Sequence, residues 1–107
     1  MSNNAVEASK VILRGVTRGD MLAQLAEECC ELAQAALKLR RTFDGTSPTP
    51  VMEHEAEYDF REEIADVLLT LHYASGGDVS VVATEDIVET AAQKEARWAQ
   101  RLMELSE

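Results

Sequence analysis

From Met21 to Arg41 the chain runs without a glycine or proline, while Leu22, Leu25, Cys29, Leu32, Ala36 and Leu39 recur every three or four residues. That period is a helix's, and the helix carries an unusual load. In Glu27-Glu28-Cys29-Cys30-Glu31, residues 28 and 31 lie one above the other on one helical face. The stretch Glu62-Glu63-Ile64-Ala65-Asp66 repeats the device with Glu63 and Asp66. Like charges at this spacing repel and lower helix stability. If two such faces turn toward each other, they form a four-carboxylate cup that demands either full solvation or a compensating cation.

The rest of the chain predicts further helices. Ala5, Ala8 and Ile12 mark a short one over Ala5 to Leu13, ended by Gly15, and Thr17 or Asp20 can cap the long helix that follows. Lys38, Arg40 and Arg41 close that helix where cations suit its dipole; they could also help a phosphate, but dipole and solubility already explain them. Asp44-Gly45-Thr46-Ser47-Pro48-Thr49-Pro50 reads as a loop joining antiparallel helices. The third helix is expected from about Met52 to Ala74, with Phe60, Ile64, Val67, Leu68 and Leu71 as its stripe and Gly76-Gly77-Asp78 as its stop. Val79 to Ala83 lacks a partner strand and reads as a buried connector. Thr84 is expected to cap a last helix striped by Ile87, Val88, Ala91, Trp98, Leu102 and Leu105. The predicted fold is therefore all-α, a helical bundle of three long helices plus a short N-terminal one, in a single domain over residues 1–107. Ala26, Ala33 and Leu37 widen the apolar face of the second helix beyond one seam, which predicts completion by dimerisation, as a homodimer or homotetramer.

Composition bounds the partners. With 20 acidic against 10 basic residues the formal charge is −10, which disfavours nucleic acid and anionic membrane surfaces. A hydrophobic content of 46% predicts folding, and no apolar run approaches a membrane span. The opening residues lack the basic and apolar regions of a signal peptide, and the adjacent Cys29 and Cys30 diverge on a helix rather than pair; both features predict a cytoplasmic chain with reduced thiols.

Taken singly, either acidic pair reads as a solvated helix face. Placement argues otherwise: Glu28 and Glu31 adjoin Cys29 and Leu32, and Glu63 and Asp66 adjoin Ile64 and Val67, at the edge of the apolar seams. No Glu-x-x-His pair occurs, since the residues three before His54 and His72 are Val51 and Leu69. A di-iron carboxylate site is thus poorly supported. Hard carboxylate oxygens alone favour Mg²⁺, with Mn²⁺ as substitute, and such an ion keeps positions open for water and phosphates.

Glu-Glu-Cys-Cys-Glu-Leu followed about thirty residues later by Glu-Glu-Ile-Ala-Asp-Val-Leu resembles the paired EExxE and ExxD motifs of the MazG-like superfamily of all-α nucleoside triphosphate pyrophosphohydrolases. The resemblance spans roughly residues 20 to 105. It implies that Glu28, Glu31, Glu63 and Asp66 hold Mg²⁺, that Glu27 orients or deprotonates the attacking water, and that Lys94 and Arg97 contact substrate phosphates. It also implies cleavage of a nucleoside triphosphate into the monophosphate and pyrophosphate by a dimer or tetramer. Phosphoribosyl-ATP pyrophosphohydrolase, which shares the acidic helical pattern, is the alternative enzyme, and a non-catalytic helical interaction module is the alternative outside catalysis. Cys29 and Cys30 read as small hydrophobes rather than nucleophiles, Trp98 as core, His54 as exposed and His72 as partly buried.

Overall fold

The computed structural model describes residues 3–45, 52–77 and 84–106. They form four helices in chain order: α1 (Asn3–Gly15), α2 (Arg18–Asp44), α3 (Glu53–Ala74) and α4 (Glu85–Leu105), with no strand among the described residues. The chain divides into two compact units, Met1–Gly77 and Asp78–Glu107. Residues 46–50 of the predicted loop and the connector Val79 to Ala83 lie outside the described residues.

In the first unit α2 is longer than predicted at both ends, and its caps explain why. Thr17 sits at the N-cap with extended backbone, and its hydroxyl accepts the Asp20 N–H at 3.0 Å. The Asp20 carboxylate in turn accepts the Thr17 N–H at 3.2 Å, so both predicted capping residues act together as a capping box. At the far end Gly45 takes φ 70°, and its N–H reaches the carbonyl of Arg41, a left-handed stop that glycine adopts without strain.

α2 and α3 pack antiparallel, with Arg18 opposite Ala74 and Lys38 opposite Asp59. The Arg18 Nε donates to the Ala74 carbonyl at 2.8 Å, which places a cation on the negative end of α3 and sets the register. Among the covered positions, Met21, Leu25, Glu28, Leu32, Ala35 and Leu39 of α2 and Ala56, Phe60, Glu63, Val67, Thr70 and Ala74 of α3 form two regular series. Each set steps by four and three in alternation, the seam of two helices winding about each other. Of the predicted stripes, Leu25, Leu32, Leu39, Phe60, Ile64, Val67 and Leu71 are covered, and the rest depart from the seam. Cys29, Leu22, Ala36 and Leu68, expected in the core, are exposed, and the seam instead runs through Glu28 and Glu63. Alanines at 35, 56 and 74 let the backbones approach closely, and the buried Thr70 hydroxyl is satisfied by donating to the carbonyls of Asp66 and Val67.

α3 ends in a Schellman turn: the Gly77 N–H reaches the His72 carbonyl at 2.9 Å, and that of Gly76 reaches Tyr73 at 3.1 Å. Both glycines have positive φ, and a Cβ at Gly77 would stand 3.2 Å from the Leu13 side chain, so this turn also seats α1.

The second unit is α4 with Thr84 at its N-cap. The Thr84 side chain makes no capping bond to the helix backbone; it hydrogen-bonds the Asp86 carboxylate, which that bond and the Ile87 N–H hold below the usual carboxylate range. Ile87, Val88, Trp98, Leu102 and Leu105 are exposed; Trp98, expected in the core, is 66% accessible. No helix among the described residues is long and apolar enough to cross a membrane.

Candidate metal centre

The seam of the α2–α3 pair carries two acids where apolar side chains would ordinarily sit. Glu28 and Glu63 are half-buried there, and Glu31 and Asp66, one turn further along their own helices, stand exposed at its rim. Because the helices are antiparallel, Glu28 faces Asp66 and Glu31 faces Glu63. One carboxylate oxygen from each of the four lies within 4.8 Å of the other three.

The electrostatic state of this cluster is uncomfortable. The charges of Glu28 and Glu63 raise the pKa of Glu31 above its ordinary 4.5, with Glu28 the larger influence. Oε2 of Glu28 and Oε2 of Glu63 are buried without a hydrogen-bond partner among the described residues. A buried carboxylate oxygen is normally paired, and an orphan is a place where an ion or water belongs. Oε1 of Glu28 accepts from the Gln24 amide at 2.8 Å. That bond fixes one oxygen of Glu28 and leaves the other aimed at the cluster. The donor set is four carboxylates with no sulfur or imidazole, so the residues fit a hard divalent cation.

Two cavities flank the cluster. The larger, about 710 Å³, runs along the groove toward the C-terminal end of α2 and is bordered by Glu31, Glu63, Lys38, Arg41, Asp59 and Glu62. The hydroxyl of Tyr58 hydrogen-bonds Glu62 beside it, and this bond together with the Glu62 charge raises the phenol above its ordinary pKa. The smaller, about 350 Å³, lies on the opposite side and is mainly apolar, with Ile12, Val16, Met21, Leu69 and Tyr73 as walls. Glu28 and Asp66 border it, so the four acids form the partition between the two.

The remaining expected site residues are Glu27, Lys94 and Arg97. Glu27 is exposed and stands one residue, about 100° of helical turn, from Glu28. Lys94 and Arg97 lie on α4 in the second unit, where with Arg101 they line a concavity of about 290 Å³. Cys29 and Cys30 are exposed, His54 is exposed, and half-buried His72 packs edge-on against Tyr73 with ring centroids 4.8 Å apart. Sequence reasoning passed over Gln24, although its i to i+4 spacing to Glu28 carried the signal. It also named Lys38 and Arg41 without placing them beside the acids.

Set against models of protein families, curated proteins and solved structures, the chain matches none of them.

Proposed function

We propose that the α2–α3 pair is the catalytic core of a nucleoside triphosphate pyrophosphohydrolase, a hydrolase of the MazG-like kind that the paired motifs resemble. The observation that carries the reading is the meeting of Glu28, Glu31, Glu63 and Asp66, with the buried Oε2 atoms of Glu28 and Glu63 left without partners. An acidic cluster that merely decorated a solvated surface would not direct two oxygens into the seam between helices. In this reading the four carboxylates hold Mg²⁺, with Mn²⁺ as substitute. The bound cation would polarise the phosphoryl group, neutralise the substrate's charge and lower the pKa of a coordinated water.

The chain's own residues have defined tasks. Gln24 keeps Glu28 turned into the cluster, and Glu31 and Asp66 at the rim are the acids most open to an arriving ligand. Water forms a new P–O bond as the bridging P–O bond between the α and β phosphates breaks, and pyrophosphate departs with the electron pair. The water's proton passes to a carboxylate, for which Glu27 is the candidate outside the ligand set. Such chemistry asks for positioning and charge neutralisation rather than a covalent nucleophile, consistent with assigning Cys29 and Cys30 no role. The apolar cavity bordered by Tyr73 and Met21 has the size and lining to receive a nucleobase.

The exposed Leu22, Leu37, Phe43, Tyr58, Leu68 and Leu69 on α2 and α3 support assembly as a homodimer or homotetramer. A panel of triphosphates incubated with the protein and Mg²⁺, followed by assay of pyrophosphate, tests the activity. Release from several triphosphates is expected. Release from phosphoribosyl-ATP alone would replace the substrate class, and no release from any of them would remove the enzymatic reading. Glu27→Gln is expected to lower kcat at least tenfold with little effect on Mg²⁺ binding; an unchanged kcat would assign the proton elsewhere.

A further inference from the structure

We propose that the larger cavity is the seat of the substrate's polyphosphate tail, and that Lys38 and Arg41 are the side chains that hold it; this deepens the nucleotide reading above and rests on it. The cavity and the acidic cluster share Glu31 and Glu63, so a ligand bound at the cluster continues into this groove without crossing a wall. Lys38 and Arg41 follow Glu31 by seven and ten residues on the same face of α2. Helical side chains lean toward the N-terminus, which tilts both cations back along the groove toward the cluster. Among the described residues they are the only cations bordering this cavity, whose other charged walls are carboxylates, so they set where an anion can rest within it.

Two adjacent arginines show that the arrangement is selective. Arg40 is exposed and pairs with Asp44 at 3.7 Å. Arg41 is half-buried, borders the cavity, and has no ion-pair partner among the described residues. Lys38 reaches Asp59 at 3.5 Å, but both side chains remain about half exposed, at 41% and 51%. A long, solvated ion pair of that kind is weak and readily exchanged for a phosphate. An arginine fork beside a lysine point charge suits a polyphosphate, whose terminal groups offer several oxygens at once. With both cations on α2, the helix that carries Glu28 and Glu31 would hold metal and tail in one rigid register, leaving the nucleoside on the apolar side.

The test is calorimetric titration of inorganic tripolyphosphate into the full chain at saturating Mg²⁺, with a titration of Mg²⁺ alone as the control. Lys38→Gln and Arg41→Gln are each expected to weaken tripolyphosphate binding about tenfold, the loss of one charge-assisted contact, while Mg²⁺ affinity stays within about twofold. Arg40→Gln is expected to change neither, and Arg41→Lys to restore part of the loss. In turnover the two Gln variants should raise KM for the triphosphate more than they lower kcat. Tripolyphosphate binding that is unchanged in both Gln variants, or absent from the wild type, would overturn the assignment even if the wild type releases pyrophosphate from triphosphates. Binding that depends on Lys38 and Arg41 in a protein without hydrolytic activity would uphold the anion site and defeat the enzymatic reading instead.

Discussion

Glu31 is the residue at which the crowding of the acidic cluster becomes measurable. Its pKa is raised by Glu28 first and Glu63 second, so in the metal-free protein the folded state binds its proton more tightly than the unfolded chain does. Stability then falls as pH rises from the ordinary 4.5 through the raised value, and the ionised Glu31 opposes folding above it. Thermal melts in a chelator between pH 4.5 and pH 7 should show this component, and Glu31→Gln should flatten it and raise the melting temperature at pH 7. A variant that melts below the wild type at pH 7 in chelator would mean that Glu31 is not repelled. Glu28→Gln and Glu63→Gln should remove most of the response to Mg²⁺, since each supplies an otherwise unpartnered buried oxygen. Why Cys29 rather than Glu28 was expected in the core is also a residue-scale matter. Hydrophobic periodicity skips a glutamate, whereas packing follows helix geometry and here places Glu28 in the seam.

Among the elements, the helix pair depends on its ends. The bond from Arg18 to the Ala74 carbonyl joins the first residue of α2 to the last of α3 and is partly buried. Arg18→Ala should destabilise the protein by about 1–2 kcal/mol in denaturant melts, as expected for a charge-assisted bond that also caps a helix dipole. A change below a few tenths would show that the register is set by the seam alone. Gly77→Ala meets two obstacles, φ of 79° and the Leu13 side chain 3.2 Å from the new Cβ, and should cost about 1–2 kcal/mol or more. The sequence marked the existence and order of all four helices, because long uninterrupted periodicity and Gly-Gly stops are local signals. It placed their ends less well: α2 extends to Arg18 and Asp44 because a capping box and a left-handed glycine close it, both settled by backbone geometry.

For the whole molecule, the scarcity of fully buried large side chains is the governing fact. The buried hydrophobic residues among those described are Ala35, Leu39, Ala56, Tyr73 and Ala74, and no large side chain is fully enclosed. A core of mostly small residues leaves much apolar surface exposed, including Leu22, Leu37, Phe43, Leu68 and Leu69 of the helix pair. Sedimentation at micromolar concentration should therefore give at least twice the 11.8 kDa chain mass, and a compact monomer would remove the assembly. Mg²⁺ at a hundredfold excess over its dissociation constant should stabilise the fold by about 2.7 kcal/mol, a shift on the order of 10 °C for a domain of this size. A melt unmoved by millimolar Mg²⁺ would count against a site formed in the folded chain.

What the amino-acid sequence determined unaided was the all-α class, the placing of carboxylates in pairs one helical turn apart, and the absence of a Glu-x-x-His pair. These follow from intervals of three and four residues, which a helix converts directly into shared faces. Only the tertiary structure decided that Glu28 and Glu63 occupy the seam itself, that their inner oxygens lack partners, and that an apolar cavity and a cation-bearing groove lie on opposite sides of the cluster. The reason is that these properties belong to the pairing of α2 with α3, whose register depends on Arg18, Ala74 and the small residues between them. Helical periodicity along one segment carries no information about which turn of another it will face.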